Sequence, residues 1–232
     1  MTGAEVAARQ SAAHSAEQPA EQPAERADEQ PGTDDQRPSR LPRPARRQQL
    51  LTAAQDVFVT QGYHAAAMDD IAERAGVSKP VLYQHFPSKL ELYLGLLDTT
   101  AEELLARLRR AMDVTTDNGL RVENAIIAYF DFVDESLAFR LVFESDLRNE
   151  AAVRERVERF SRACMEAVAD TIAADTGVPR AQAELLSVAL IGISEVSARY
   201  WLDTDRAVGK PDAVRLLSHL AWRGISGFPR QP

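Results

Sequence analysis

GYHAAAMDDIAERAGVSKPVLYQHFPSKLELYL, running from Gly62 to Leu94, contains two short helical patterns joined by Ala75-Gly76-Val77, with a third beginning after Phe86-Pro87. A glycine-containing turn between short helices is how a helix-turn-helix carries its second helix into the DNA major groove. The spacing predicts a helix over Met68 to Ala75, with Ile71 and Ala75 facing inward. Ser78 is placed to cap the next helix, and Pro80 falls in its first turn, where a missing N–H costs little. Ser88-Lys89-Leu90-Glu91 has the form of a capping box and opens a longer helix to about Met112.

Upstream, Leu41-Pro42-Arg43-Pro44-Ala45-Arg46-Arg47 is a basic lead-in. From Ala45, the apolar residues Leu50, Leu51, Ala54, Val57 and Phe58 recur at helical spacing until Gly62. Phe58, Ile71, Leu82 and Phe86 are the expected core of this head. Met1 to Arg40 is poor in aromatics, rich in Ala, Glu, Gln and Pro, and repeats Ala-Glu-Gln-Pro at Ala16 and Ala20. Such a segment buries too little apolar surface to offset its ordering entropy, so residues 1–40 are expected to be a disordered tail.

Downstream, Asp113 to Gly119 is a polar break. Helical patterns then cover Leu120 to Ser136, Glu150 to Asp175, Arg180 to Leu202 and Asp212 to about Gly224, with a short aromatic stretch over Leu137 to Leu147. No alternating strand pattern occurs. The expectation is an all-α chain of about nine helices: a helix-turn-helix domain over 41–91 and a second helical domain over 92–228.

Charge distribution sharpens this division. The chain carries a net −8, but residues 41–91 hold 6 basic against 5 acidic side chains, while the segments on either side are acidic. The one segment that is not acidic is the one with the reading helix, which suits a DNA reader of modest electrostatic affinity. No run of about 18 apolar residues exists, so no membrane span is expected. Cys164 is the only cysteine, which excludes an internal disulfide and fits a reducing cytoplasm. The histidines and this cysteine have no metal-ligand spacing. Neither GxSxG, a P-loop nor GxGxxG is present, so an enzyme is not expected. A ligand-binding protein that has lost DNA binding is the remaining rival, because the head is nearly neutral.

Phe58, Gly62, Ile71, Ala72, Ala75, Gly76-Val77-Ser78, Leu82-Tyr83, His85-Phe86 and Ser88-Lys89 resemble, in identity and spacing, the TetR family of bacterial one-component regulators. The chain departs at Ala66-Ala67, where that family commonly has Thr, a change that weakens a cap or a phosphate contact at the second helix. The resemblance implies that Lys79, Val81 and Gln84 face base edges, Gln suiting adenine and Val a thymine methyl. Tyr83 and His85 look like phosphate contacts that fix register. Lys89 adds charge to a helix N-terminus, a natural phosphate site. Arg43, Arg46 and Arg47 either reach a phosphate or the minor groove, or are solvated surface charge.

Val188 to Ile193 is apolar or small nearly all round, as a helix is when buried in both its own domain and a partner. With Asp212 to Gly224 it would build a four-helix bundle across a twofold axis, and the resemblance implies the same homodimer. The other reading is a helix central within a monomer. Tyr129, Phe130, Phe132, Phe139, Phe143 and Phe160 cluster in sequence and, taken alone, read as core. The resemblance implies an effector pocket enclosed by residues 92 to 175, with Tyr129, Phe130, Phe139, Arg140, Phe143, Phe160 and Cys164 as its expected residues. Arg140 and Arg148 either hold an anionic group at the pocket mouth or pair with Glu144 or Glu150.

The opening stretch, together with FRLVFESDL from Phe139 and ARYWLDTD from Ala198, is similar to the mycobacterial and actinobacterial regulators of fatty-acid-synthase genes, over about Arg40 to Gly227. This likeness implies a long-chain acyl-CoA effector, control of fatty-acid synthesis genes by activation, and an effector-bound head spacing that mismatches the DNA half-sites. The alternative is a TetR-type repressor of an efflux or catabolic operon released by another apolar small molecule.

Overall fold

The computed structural model describes residues 41–136 and 146–224 of the chain. The expected tail, and the expected pocket residues Phe139, Arg140 and Phe143, lie outside these residues, as does the side chain of Arg148. Among the described residues there are eight α-helices, one short 3-10 turn at Asp146–Asn149, and no strand. The α-helices are α1 (Arg43–Gln61), α2 (Met68–Arg74), α3 (Lys79–His85), α4 (Lys89–Asp113), α5 (Asn118–Glu135), α6 (Ala151–Thr176), α7 (Arg180–Asp203) and α8 (Lys210–Arg223).

α1 to α3 close around Leu50, Phe58, Ile71, Leu82 and Phe86, each at most 1% exposed. Burying a side chain of this size stabilises by about 1.5–3 kcal/mol. The turn between α2 and α3 depends on Gly76, whose φ of +65° is a conformation that side-chain-bearing residues rarely adopt. α4 then leaves the head and runs about 37 Å. It packs on α1 at its start and on α5 and α6 beyond. Its seating on the head is tight at Gly95, where a Cβ would lie 2.9 Å from the Phe86 ring and 3.0 Å from the Arg47 guanidinium.

Helix ends follow local chemistry. Ser88 Oγ accepts the Glu91 N–H at 3.1 Å, the forward half of the expected capping box. Ser78 holds the N-cap position of α3 but makes no side-chain cap bond. α5 begins two residues earlier than its apolar pattern, because the Asp117 carboxylate accepts the Leu120 N–H at 2.9 Å. α1 and α8 also start two residues early, each with a proline in its first turn. Gly177, at φ +69°, ends α6 in the left-handed conformation.

Beyond the head, α4 to α8 form a second bundle in which α5 packs on α7 and α8 and α6 packs on α7. Ion pairs tie its layers together. Asp98 of α4 pairs with Arg156 of α6. Asp134, near the end of α5, accepts from Arg206 at 2.7 Å and from Lys210 at 3.2 Å, which fixes the α7–α8 turn. α7 is long and apolar enough by composition to cross a membrane. Only one side of it, with Ala183, Ser187 and Ala198, is buried in the bundle, however, and Glu184, Glu195 and Arg199 put charges along its length. Charges at that depth are expensive in a bilayer, so the helix is not a membrane span.

Candidate functional site

α3 turns Leu82 fully inward and leaves Lys79, Tyr83 and Gln84 exposed, with Val81 partly so. Tyr83 is 46% exposed although its chain neighbour is at the centre of the head core. Lys79 Nζ lies 2.5 Å from the Asp69 carboxylate of α2, and that hydrogen bond raises its pKa. Both partners are solvent-exposed, so the pair is weak and exchangeable for a phosphate. At the other end of α3, His85 has a pKa below the ordinary histidine range, first through burial and then through the charges of Arg43, Arg47 and Arg46. One corner of the head therefore gathers three arginines and a neutral imidazole.

These arginines are helical. They belong to the first turns of α1, because the helix begins at Arg43. Arg46 donates to Gln49 Oε1 at 2.7 Å, and Gln49 in turn donates to the Ala75 carbonyl at 2.8 Å. The Arg47 guanidinium lies 4.3 Å above the Phe86 ring. Arg46 and Arg47 thus brace the reading turn, while Arg43 is exposed at the helix start.

Lys89 departs further from expectation. Its ammonium donates to the carbonyls of Tyr63 at 2.8 Å, His64 at 3.1 Å and Ala66 at 2.9 Å, and lies 4.6 Å above the Tyr63 ring. An ammonium has three donors, and all three are in use. In this geometry Lys89 is a staple between α4 and the α1–α2 loop. The Ala66-Ala67 departure also has a visible effect. Ala66 is buried, and Ala67 at the N-cap of α2 offers no side-chain acceptor; the Asp70 carboxylate accepts the Ala67 N–H at 3.3 Å.

Behind the head, a cavity of about 310 Å³ lies among α4, α5, α6 and α7, with Ala221 and Trp222 of α8 beside it. This volume is at the lower end of the range of about 300–1,000 Å³ typical of ligand pockets. Its lining on α6 runs from Val157 to Thr176, about 28 Å along the helix axis, so the space is long and narrow. Tyr129, Phe160 and Cys164 line it. Phe130 does not: it is fully buried against Trp201, ring centroids 5.4 Å apart, because one residue along a helix turns the side chain by about 100°. Leu104, Leu108 and Met112 of α4 and Leu186 and Leu190 of α7 also line the cavity. The regular apolar spacing of α4 was the available signal for the first three.

Burial, and then the Glu195 carboxylate, push the Tyr129 hydroxyl well above the ordinary tyrosine range. Burial pushes the Cys164 thiol up to about 12, so it stays a neutral, unreactive part of the wall. Among the described residues no group of His, Cys, Asp and Glu could hold a metal ion. The site has the parts of a sensor: an exposed reading face, an apolar cavity, and α4 contributing to both.

Residues 50–96 match the family model described as bacterial regulatory proteins, tetR family. The chain is 48% identical over 203 residues to the HTH-type transcriptional activator FasR of Mycolicibacterium smegmatis, covering 87% of this chain and 93% of that one. A TetR-like transcriptional regulator from Rhodococcus sp. RHA1 is 30% identical, covers 82% of this chain and 100% of its own, and superposes with a TM-score of 0.62. The transcriptional regulator FadR from Bacillus subtilis, solved in complex with stearoyl-CoA, shares the fold at a TM-score of 0.66 over 77% of this chain and 98% of its own, at 17% identity. The chain belongs to the TetR family of bacterial regulatory proteins, DNA-binding transcriptional regulators rather than enzymes.

Proposed function

We propose that this regulator controls lipid-synthesis genes and that a long-chain acyl-CoA in the cavity sets its affinity for operator DNA. The observation that carries this reading is the long apolar cavity walled by α4, the same helix that Lys89 and Gly95 fasten to the reading head. A ligand between Leu104, Leu108 and α6 favours an α4 position different from the one the head needs on DNA. Such coupling is typically about 1–3 kcal/mol, or roughly 5- to 150-fold in affinity. The similarity to an activator named FasR, and the shared fold of a FadR bound to stearoyl-CoA, support the choice of ligand class and of target genes.

In this reading Lys79, Val81 and Gln84 meet base edges, and Tyr83, His85 and Arg43 meet phosphates in the cytoplasm, where the operator is. α7 and α8 form the dimer interface. Leu185, Val196 and Tyr200 are 72%, 65% and 69% exposed, and with Val188 they form an apolar stripe along α7; Leu216 on α8 is exposed as well. A stripe of this kind on a soluble domain marks an association surface. A twofold dimer brings two reading helices to half-sites about one helical turn, roughly 34–36 Å, apart or a multiple of that spacing. The test is extraction of the purified full chain followed by mass spectrometry. Acyl-CoAs with long chains are the expected copurifying species; a non-lipid small molecule at stoichiometric amount would overturn the ligand assignment.

A further inference from the structure

The cavity wall is apolar along most of its length, but one end is different. Arg121 is the only lysine or arginine among the lining residues described. It sits at the start of α5, with Asn118 on the preceding turn and Asp175 and Thr176 at the end of α6 opposite. Trp222 lines the same cavity and is 55% exposed, and its indole nitrogen lies 3.3 Å from where a Cβ on Gly119 would be, so this end faces solvent.

Arg121 is held firmly. Its Nε donates to the carbonyls of Met112 at 3.1 Å and Thr115 at 2.7 Å, which fixes the guanidinium against the α4–α5 junction. Its Nη1 edge is directed to the Asp175 carboxylate. The two side chains are only 19% and 24% exposed, so the pair is largely desolvated. Removing one member of such a pair leaves an uncompensated charge, so the arrangement requires an anion at this edge at all times. A guanidinium fork takes a ligand carboxylate or phosphate in the same geometry as a side-chain carboxylate. Asp175 is the residue that a ligand anion at this end would replace.

Resting on the reading that the cavity takes an acyl chain, we propose that Arg121 recognises the anionic head of that ligand and that Asp175 is its built-in competitor. In this structure the pair latches the end of α6 to the junction of α4 and α5. An apolar chain ending in a carboxylate or phosphate lies along α6, takes the Nη1 edge and releases Asp175 to solvent. A neutral chain of the same length fills the cavity and leaves the latch closed. Specificity for a charged lipid then comes from exchange of one anion for another, with no new charge buried.

The test is calorimetric titration of the full chain with palmitate, palmitoyl-CoA and hexadecanol delivered from cyclodextrin. Arg121→Gln is expected to weaken both anionic ligands about tenfold or more, as loss of a hydrogen bond to a charged group does, and to leave hexadecanol unchanged. Asp175→Asn, which removes the competitor but keeps the side-chain shape, is expected to tighten the anionic ligands several-fold and again spare hexadecanol. It keeps the proposal testable should Arg121→Gln disturb the Met112 and Thr115 contacts. A response confined to palmitate assigns the site to a free carboxylate, and one confined to palmitoyl-CoA to its phosphates; either supports the proposal. Equal shifts for all three ligands, or none for any, overturn it while leaving the cavity as a lipid site. Failure of the wild-type chain to bind any of the three removes both that reading and this one.

Discussion

Lys89 makes three hydrogen bonds to the carbonyls of one loop, and this changes what its substitution should do. A phosphate ligand would contribute to the salt dependence of DNA binding, so its loss would reduce the salt slope by about one. A staple contributes to stability instead. Lys89→Met is expected to lower the urea midpoint, by an amount corresponding to about 2 kcal/mol, and to weaken DNA binding with the salt slope unchanged; gel shifts over a salt series distinguish the two. His85 gives a second prediction with a definite sign. Its neutral form is favoured in the fold, so its contribution to stability is present above about pH 6.5 and is lost as the pH falls through its lowered pKa. In the proposed docking a DNA phosphate beside it favours the protonated form, so operator affinity moves the other way and rises as the pH falls over that range. His85→Gln should flatten both profiles, as measured by thermal melts and binding isotherms between about pH 5.5 and 7.5. Residue identities in the reading helix were legible in the sequence, but side-chain engagement was not. Whether Lys89 points to solvent or to three carbonyls depends on where the loop at Tyr63 to Ala66 is folded, which lies 23 to 26 residues away in the chain.

At the scale of elements, the helices and their order follow from apolar periodicity, and the turn at Gly76 and the stop at Gly177 from residues that tolerate positive φ. Starts were less legible. Asp117 reads as part of a polar break, yet its carboxylate draws the start of α5 back two residues. Likewise Pro44 and Pro211 are compatible with a helix's first turn and do not delay it. The cavity was legible only in part, because membership is decided by rotation about a helix axis. Tyr129 and Phe130 are adjacent in an aromatic stretch, but one lines the cavity and the other seals α5 against Trp201. α7 carries the clearest element-level prediction. The sequence feature read as a two-sided apolar helix corresponds to one buried side and one exposed stripe containing Val188 and Val196. Val196→Glu places an unpaired carboxylate in the proposed dimer interface, at a cost on the order of several kcal/mol. Sedimentation should show a folded monomer with unchanged helical content and much weaker operator binding; an unchanged dimer would remove α7 from the interface.

For the whole molecule, the decisive feature is that one helix belongs to both working parts. The first turns of α4 are fastened to the head by Lys89 and by close packing at Gly95, and its later turns present Leu104, Leu108 and Met112 to the cavity. A ligand acts on DNA affinity only through a difference in its free energy between two such arrangements. In the proposed mechanism the cavity length selects for a long chain, and the Arg121–Asp175 latch for a charged end. The most direct measurement is fluorescence anisotropy of the chain on its own upstream DNA at fixed salt, titrated with palmitoyl-CoA or acetyl-CoA, in the wild type and in Val168→Trp, which fills the middle of the cavity. Palmitoyl-CoA should release wild-type protein from DNA with a shift in affinity of roughly 5- to 150-fold, acetyl-CoA should not, and Val168→Trp should bind DNA yet ignore both. Equal release by the two thioesters, or release by palmitoyl-CoA that survives in Val168→Trp, would contradict the account.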